Sequence, residues 1–272
     1  MSRTLLDMEN FSSINNTYRG RIAPTPSGYL HVGNIQTFKI AQSRANQNKG
    51  ALILRIEDID SDRCKDEYLT ACIEDLKKAS IICNEGYGIG GKYAPYIQSQ
   101  RIFFYKDILK FLIENKFVYQ CFCSRSDIAK KSKPSPFDES EKVFPIELRN
   151  DSHPIDLENF FKYNWRFRVP DNKKISFKDD LLGEQSFTTN QDFGDFLVWR
   201  KSDAPSYELA VVADDIAMKI TEVVRGQDLL LSTAKQLLLY SALNATPPLF
   251  AHCPLILGAD NKKLSKSSRY KC

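Results

Sequence analysis

No stretch of the sequence approaches the roughly 18–20 consecutive apolar residues that span a bilayer, so a helical membrane protein is excluded. The opening residues, MSRTLLDMENFSSINNTYRG, hold no sustained apolar core and include acidic side chains, which is not the pattern of a secretory leader. Cysteine is too scattered for a disulfide framework: seven residues, at 64, 72, 83, 121, 123, 253 and 272, are odd in number and irregular in spacing. A reducing compartment, the cytoplasm, is the expectation. No G-x-x-x-x-G-K-[ST] segment occurs, which removes the P-loop class. The run GYGIGG (86–91) satisfies G-x-G-x-x-G in form, but it follows a helical stretch instead of a strand and reads as a glycine-rich turn. Internal repeats are also missing. The net charge of +4 does not require a polyanionic partner, although local clusters (Lys130, Lys131, Lys133; Lys173, Lys174; Lys262, Lys263) permit one.

With 272 residues, 42% of them hydrophobic and 26% charged, the chain can bury a substantial core. YRGRIA (18–23) reads as a strand ended by the proline-rich turn PTPSG. HVGNIQTFKIAQSRANQNKG then places Ile35, Phe38, Ile40 and Ala41 near helical spacing and stops at Gly50. ALILRI (51–56) is short and almost continuously apolar, which suits a strand buried on both faces of a parallel sheet. Helical period returns in DEYLTACIEDLKKA (66–79), QRIFFYKDILKFLIENK (100–116) and STAKQLLLYSAL (232–243). This is the rhythm of a doubly wound α/β sheet. The rhythm breaks between 121 and 191, where KKSKPSPFDESEK (130–142) reads as a loop and NWRFRV (164–169) and KISFKDDLLGEQSF (174–187) as short strand pieces. It resumes with FLVWRK (196–201), YELAVVADDIAM (207–218) and ITEVVRG (220–226). The expected organisation is an N-terminal extension (1–17), a nucleotide-binding catalytic fold built from 18–120 and 192–272, and a small α+β insertion domain at 121–191.

RIAPTPSGYLHVGN (21–34) carries the most chemistry. Its two prolines fix φ and bar a helix, and Gly28 permits tight backbone geometry. The next helix opens near His31–Gly33, where exposed N–H groups and the positive dipole end favour anions. Gly33 would let a nucleotide lie against the backbone, and His31 could donate a hydrogen bond to a phosphate. A turn bearing a surface histidine is the alternative. KKLSKSSRYKC (262–272) is equally open, as a solvated basic tail or as a loop that works with that helix start.

Together, PTPSGYLHVGN and KLSKS (263–267) resemble the paired HIGH and KMSKS signatures of class I aminoacyl-tRNA synthetases. RIAPTPSGYLHVG, LRIEDID (54–60) and YELAVVADDIAMKITEVVRGQDLL (207–230) narrow the resemblance to the glutamyl branch. LAVVADD followed by ITEVVRGQDL is most similar to the short, bacterial-type glutamyl-queuosine tRNA(Asp) synthetases. The resemblance implies a Rossmann-like catalytic fold that activates glutamate to glutamyl-adenylate, with ATP and Mg2+ entering as substrate. On the matching positions, Arg21 and Arg225 would grip carboxylate by bidentate pairing. Surface ion pairing is the alternative for these two arginines. Glu57, helped by Thr25, would face the α-ammonium, and Tyr207 would add a phenolic hydrogen bond. His31, Gly33 and Asn34 would meet ATP on one side, and Lys263, Ser265 and Lys266 on the other. In-line attack on the α-phosphorus needs positioning and charge stabilisation, not a covalent nucleophile. His31 and Lys266 are the expected catalytic donors, each contributing on the order of 10²–10³ in rate.

In similar proteins a Cys-x-Cys pair starts a zinc site completed by a tyrosine and a third cysteine. CFC (121–123) matches the start, but Phe144 falls where the tyrosine is expected and Leu148 where the cysteine is expected. His153 is the nearby nitrogen ligand. Two thiolates do not close a tetrahedral site, so Cys121 and Cys123 are expected to be a zinc-free remnant packed by Phe144 and Leu148.

Three functions stay open. The resemblance favours transfer of glutamate to the queuosine base of tRNA(Asp), with the anticodon arm brought to the active site. Conventional glutamyl-tRNA synthetases continue past KMSKS into a helical anticodon-binding region, whereas SRYKC is all that follows Ser267 here. Val211 leans the same way, because the conventional enzyme usually has asparagine there. The second function is the catalytic portion of a conventional glutamyl-tRNA synthetase. The third is a non-catalytic RNA- or nucleotide-binding paralogue, whose sign would be degraded motifs. A monomer without membrane attachment is expected.

Overall fold

The computed structural model describes residues 17–137, 141–149 and 159–255. In chain order its elements are β1 (Arg19–Ile22), α1 (Val32–Gln47), β2 (Ala51–Leu54), α2 (Asp66–Lys78), β3 (Glu85–Gly86), α3 (Ile102–Glu114) and β4 (Val118–Cys121). Then come α4 (Arg125–Lys131), β5 (Lys133–Pro134), β6 (Lys142–Val143), β7 (Asn164–Phe167), β8 (Lys174–Asp179), β9 (Gly183–Thr188), β10 (Phe196–Arg200) and β11 (Ala204–Pro205). The last are α5 (Tyr207–Ala217), β12 (Glu222–Gly226), α6 (Leu230–Ala242) and β13 (Leu249–Cys253).

Seven strands form the main sheet in the order β3-β2-β1-β12-β13-β8-β9. All pairs are parallel except the β8–β9 hairpin. The chain begins in the middle of this sheet, winds outward through α1 and α2, then returns to the other side of β1 and winds the opposite way through α6. That is the doubly wound topology the periodicity predicts.

Alternation along the strands sorts side chains to two covered faces. Leu52 and Leu54 of β2, Val224 of β12 and Ala251 of β13 pack with Ile35, Ala41 and Leu76 of α1 and α2. Their chain neighbours Ile53, Val223 and Phe250 pack with Ile108 and Leu109 of α3, Leu209 of α5 and Leu238 of α6. A sheet buried on both sides demands apolar residues at consecutive positions, which is why ALIL has no polar member. Among the described residues no helix is long and apolar enough to cross a membrane.

The stretch 121–191 contributes to more than one sheet. β4 and β7 join β10 and β11 in a four-stranded antiparallel sheet, whose Trp165 and Trp199 enter the same core as α3. β8 and β9 instead extend the main sheet through the register pair Phe250–Asp179. KKSKPSPFDESEK begins within α4, and its Lys133–Pro134 pairs with Lys142–Val143, so it is not all loop. The reciprocal Ser124–Asp127 cap starts that helix. GYGIGG forms a tight turn at the sheet edge. Gly86 has φ +136°, and a Cβ on it would lie 2.3 Å from the Leu54 carbonyl oxygen.

Candidate active site

The winding direction reverses between β1 and β12, and in such sheets a crevice opens beyond the carboxyl ends of the two strands. A cleft of about 490 Å³ lies there. Arg21, Thr25, His31, Gly33, Asn34, Glu57, Tyr207 and Arg225 all line it, although they come from the two ends of the described chain. Lys263, Ser265 and Lys266 lie outside the described residues.

One wall is the start of α1. His31 is the N-cap, with extended backbone at φ −110° and ψ 168°. The Asn34 N–H donates to His31 Nδ1 at 3.3 Å, and the His31 N–H donates to Asn34 Oδ1 at 3.1 Å. The pair forms a capping box in which histidine takes the usual hydroxyl's place. Because Nδ1 accepts, the proton of the neutral ring sits on Nε2. A Cβ at Gly33 would stand 3.0 Å from His31 Cε1 and Nδ1, so glycine here makes room for the imidazole. No acidic side chain occupies the first turn to cancel the positive helix end.

The PTP turn is tied to the segment after β2. Arg55 N–H donates to the Ile22 carbonyl and Glu57 N–H to the Pro24 carbonyl, both at 3.0 Å. This continuation of the ladder sets buried Glu57 beside the turn that carries exposed Thr25.

Beneath the cleft lies a network of three arginines and three carboxylates. Fully buried Arg55 meets Asp215 at 2.6 Å and Glu57 at 3.0 Å. Arg101 meets Asp214 at 2.6 Å, and Asp214 also accepts from Tyr105 and Gln98. Arg21 donates to the Val224 carbonyl at 3.1 Å, while its Nε, 3.7 Å from Asp215, has no hydrogen-bond partner among the described residues. Burial pushes the Arg21 pKa down; Asp215 opposes this, and the nearby Arg55 and Arg225 add to it. An arriving anion would relieve that strain. Burial also pushes the Glu57 carboxyl up, only partly offset by Arg55 and Arg21.

Arg225 differs from these. Its Nε donates to His252 Nε2 at 3.1 Å, and its Nη2 donates to Thr233 Oγ1 at 2.7 Å and Gln236 Oε1 at 2.9 Å. Its Nη1 is buried without a hydrogen-bond partner among the described residues. Tyr207 opens α5 at the exposed cleft rim.

Sequence reasoning did not single out Arg55, Arg101, Asp214, Asp215 or His252. A signal existed: a charged or titratable residue inside an apolar run, as in ALILRIE, LAVVADD and LFAHC, is tenable in a core only when paired.

In the antiparallel region, Cys121 packs with Tyr119 and Phe144, with Cys123, Ile128 and Leu148 at the edge of the cluster. The Cys123 thiol approaches the Leu148 carbonyl at 3.9 Å. His153 lies outside the described residues. Two thiols among aromatic and aliphatic neighbours do not supply the four donors zinc requires.

The family of class I tRNA synthetases (E and Q), catalytic domain, matches residues 17–271. The chain belongs to this family. This synthetase domain is 40% identical over 252 residues to a glutamate–tRNA ligase of Hydrogenobaculum sp., a match covering 91% of the chain and 52% of the ligase. It is 39% identical over 256 residues to a glutamyl-Q tRNA(Asp) synthetase of Nitratidesulfovibrio vulgaris, covering 91% of the chain and 77% of that protein. A solved glutamate tRNA ligase from Elizabethkingia meningosepticum, in complex with its amino acid, superposes with a TM-score of 0.80 at 31% identity, over 93% of this chain and 52% of that one. The synthetase domain thus spans about half the length of the glutamate–tRNA ligases it matches.

Proposed function

We propose that the synthetase domain activates glutamate with MgATP to glutamyl-adenylate, and passes the glutamate to the queuosine base in the anticodon of tRNA(Asp). One observation carries the activation half: two buried arginines line one cleft, Arg225 with an Nη1 that has no hydrogen-bond partner among the described residues and Arg21 held only loosely, its Nε 3.7 Å from Asp215. A carboxylate gripped by two guanidiniums is a poor nucleophile, so Arg21 and Arg225 suit the substrate carboxylate that does not react. Glu57 and Thr25 suit the ammonium group, which leaves the other carboxylate to attack the α-phosphorus. The His31 Nε2–H and the α1 amides would stabilise charge on the phosphates from one side. Lys266, with Lys263 and Ser265, would do so from the other. Among the described residues no three His, Cys, Asp or Glu side chains gather to hold a metal ion; magnesium would arrive on the triphosphate.

The transfer half is supported by Val211, buried on α5 one turn beyond Tyr207, where the conventional enzyme usually has asparagine. Glutamyl-Q relatives are also as similar to this chain as the ligases, at 39% against 40% identity. The 40% identity to the ligases supports a second reading to the same degree, charging of tRNA(Glu).

Glutamate-dependent ATP–pyrophosphate exchange, with and without tRNA, tests activation. Labelled glutamate offered with purified, queuosine-containing tRNA(Asp) and with tRNA(Glu) tests transfer. Label on tRNA(Asp) alone is the expected outcome. Label on tRNA(Glu) alone would install the second reading, and no exchange under any condition would leave a binding module.

A further inference from the structure

We propose that Asp179 and His252 on one side, and Glu208 and Gln236 on the other, are positioning residues that orient Arg225 while leaving its charge un-neutralised for the substrate carboxylate. This rests on the glutamate reading above, in which Arg225 grips that carboxylate.

A guanidinium only donates, so His252 Nε2, 3.1 Å from Arg225 Nε, must accept. The ring proton is therefore on Nδ1, which donates to Asp179 Oδ2 at 2.6 Å. Asp179 Oδ1 is in turn held by the Leu181 and Leu182 amides, at 3.0 and 2.9 Å, in the turn of the β8–β9 hairpin. Burial and the nearby Arg225 push the His252 pKa down to about 4 against the pull of Asp179, which agrees with a neutral ring.

The opposite side repeats the arrangement. Gln236 Oε1 accepts from Arg225 Nη2 at 2.9 Å, and Gln236 Nε2 donates to Glu208 Oε2 at 2.9 Å. Ser232 holds the other Glu208 oxygen at 2.8 Å. Thr233 Oγ1 sits between the two arms, 2.7 Å from Arg225 Nη2 and 3.0 Å from His252 Nε2. Each carboxylate thus reaches Arg225 through one neutral group.

Arg55 shows the contrast. It pairs directly with Asp215 at 2.6 Å, and its charge is spent within the network. A direct carboxylate on Arg225 would orient it equally well but would compete with the incoming anion. A neutral relay fixes the fork without that competition. His252 is fully buried and Asp179 nearly so, and neither lines the cleft, so each acts on a ligand only through Arg225.

The test is glutamate-dependent ATP–pyrophosphate exchange with tRNA present, on four variants. His252→Leu removes the acceptor. His252→Asn keeps a donor for Asp179 but is too short to reach Arg225, and His252→Gln keeps an acceptor near the Nε2 position. Gln236→Leu removes the second arm. In His252→Leu and His252→Asn the KM for glutamate should rise about 10- to 100-fold, the range for one hydrogen bond to a charged group. The KM for ATP should hold and kcat change little. His252→Gln should recover most of the loss, and Gln236→Leu should raise the glutamate KM alone. A fall in kcat and thermal midpoint with a parallel rise in both KM values, or a His252→Gln no better than His252→Leu, would overturn the proposal. If His252→Leu does not fold, Gln236→Leu and the asparagine–glutamine comparison decide the matter. A wild-type protein with no glutamate-dependent exchange sinks the glutamate reading and this proposal together. A wild type that exchanges normally beside unaffected variants sinks this proposal alone.

Discussion

Glu57 has to be ionised to attract an ammonium group, yet burial works against ionisation and Arg55 and Arg21 offset it only in part. A glutamate whose folded pKa is raised is more protonated at mildly acidic pH than an ordinary one. The substrate ammonium keeps its charge throughout this range. The glutamate KM should therefore rise as pH falls below neutrality, while the KM for ATP follows a flatter course. Glu57→Gln should raise the glutamate KM at neutral pH by about 10- to 100-fold, as expected for losing an interaction between charged groups. The same change should flatten the acid limb. Initial rates between about pH 5 and 8 on both proteins check the slope. An acid limb that survives in Glu57→Gln would mean that another group carries it.

α5 places Asp214 and Asp215 in its C-terminal half, where the helix dipole disfavours negative charge, and both are buried. Their position is tenable because Arg55, Arg101, Tyr105 and Gln98 converge on them from other elements. Asp214→Ala would take the carboxylate from Arg101, Tyr105 and Gln98, and breaking such a buried network costs about 3–5 kcal/mol. Urea denaturation should show a large drop in midpoint. Asp60→Ala, which breaks an exposed pair with Arg63, should leave the midpoint nearly unmoved. The difference between these sites marks what was legible in the sequence. Helices α1 and α2 and strand β2 announce themselves by local period, and the PTPSGYLHVGN turn by its prolines and glycines. The eight cleft residues were recognisable because each sits in a short motif. The Asp214 and Asp215 partners lie 113 and 160 positions away in the chain, and no local pattern encodes such pairing. The β8–β9 hairpin was hidden for a related reason. Alternation in KISFKD shows that it has a face to bury, but not that the face belongs to the main sheet.

That hairpin joins β13 through a single register pair, Phe250–Asp179, and the Asp179 side chain reinforces the junction. Asp179 accepts both the backbone N–H and the ring Nδ1–H of His252. Acid should loosen this junction through the histidine. The His252 pKa is lowered from 6.5 to about 4 by burial and Arg225, so between those values the unfolded chain binds a proton that the folded chain refuses. Stability from this group is complete above about pH 6.5 and declines as pH falls toward 4, by about 3 kcal/mol in all. Glu57 and Glu208, whose pKa values are raised mainly by burial, act in the opposite sense: the folded chain takes up their protons first, so they favour folding as the solution is acidified. The wild-type curve alone mixes the two effects. Comparing it with His252→Gln separates them, because Glu57 and Glu208 are common to the two proteins and cancel in the difference; Asp179, lowered against burial by its hydrogen bonds from His252, enters mainly below about pH 4. Urea denaturation at about pH 7 and about pH 4.5 should show the wild-type advantage shrinking by roughly 2 kcal/mol on acidification, most of the full effect. A difference that stays constant would mean that His252 titrates as an ordinary histidine, and that the hairpin junction is not where acid opens the fold.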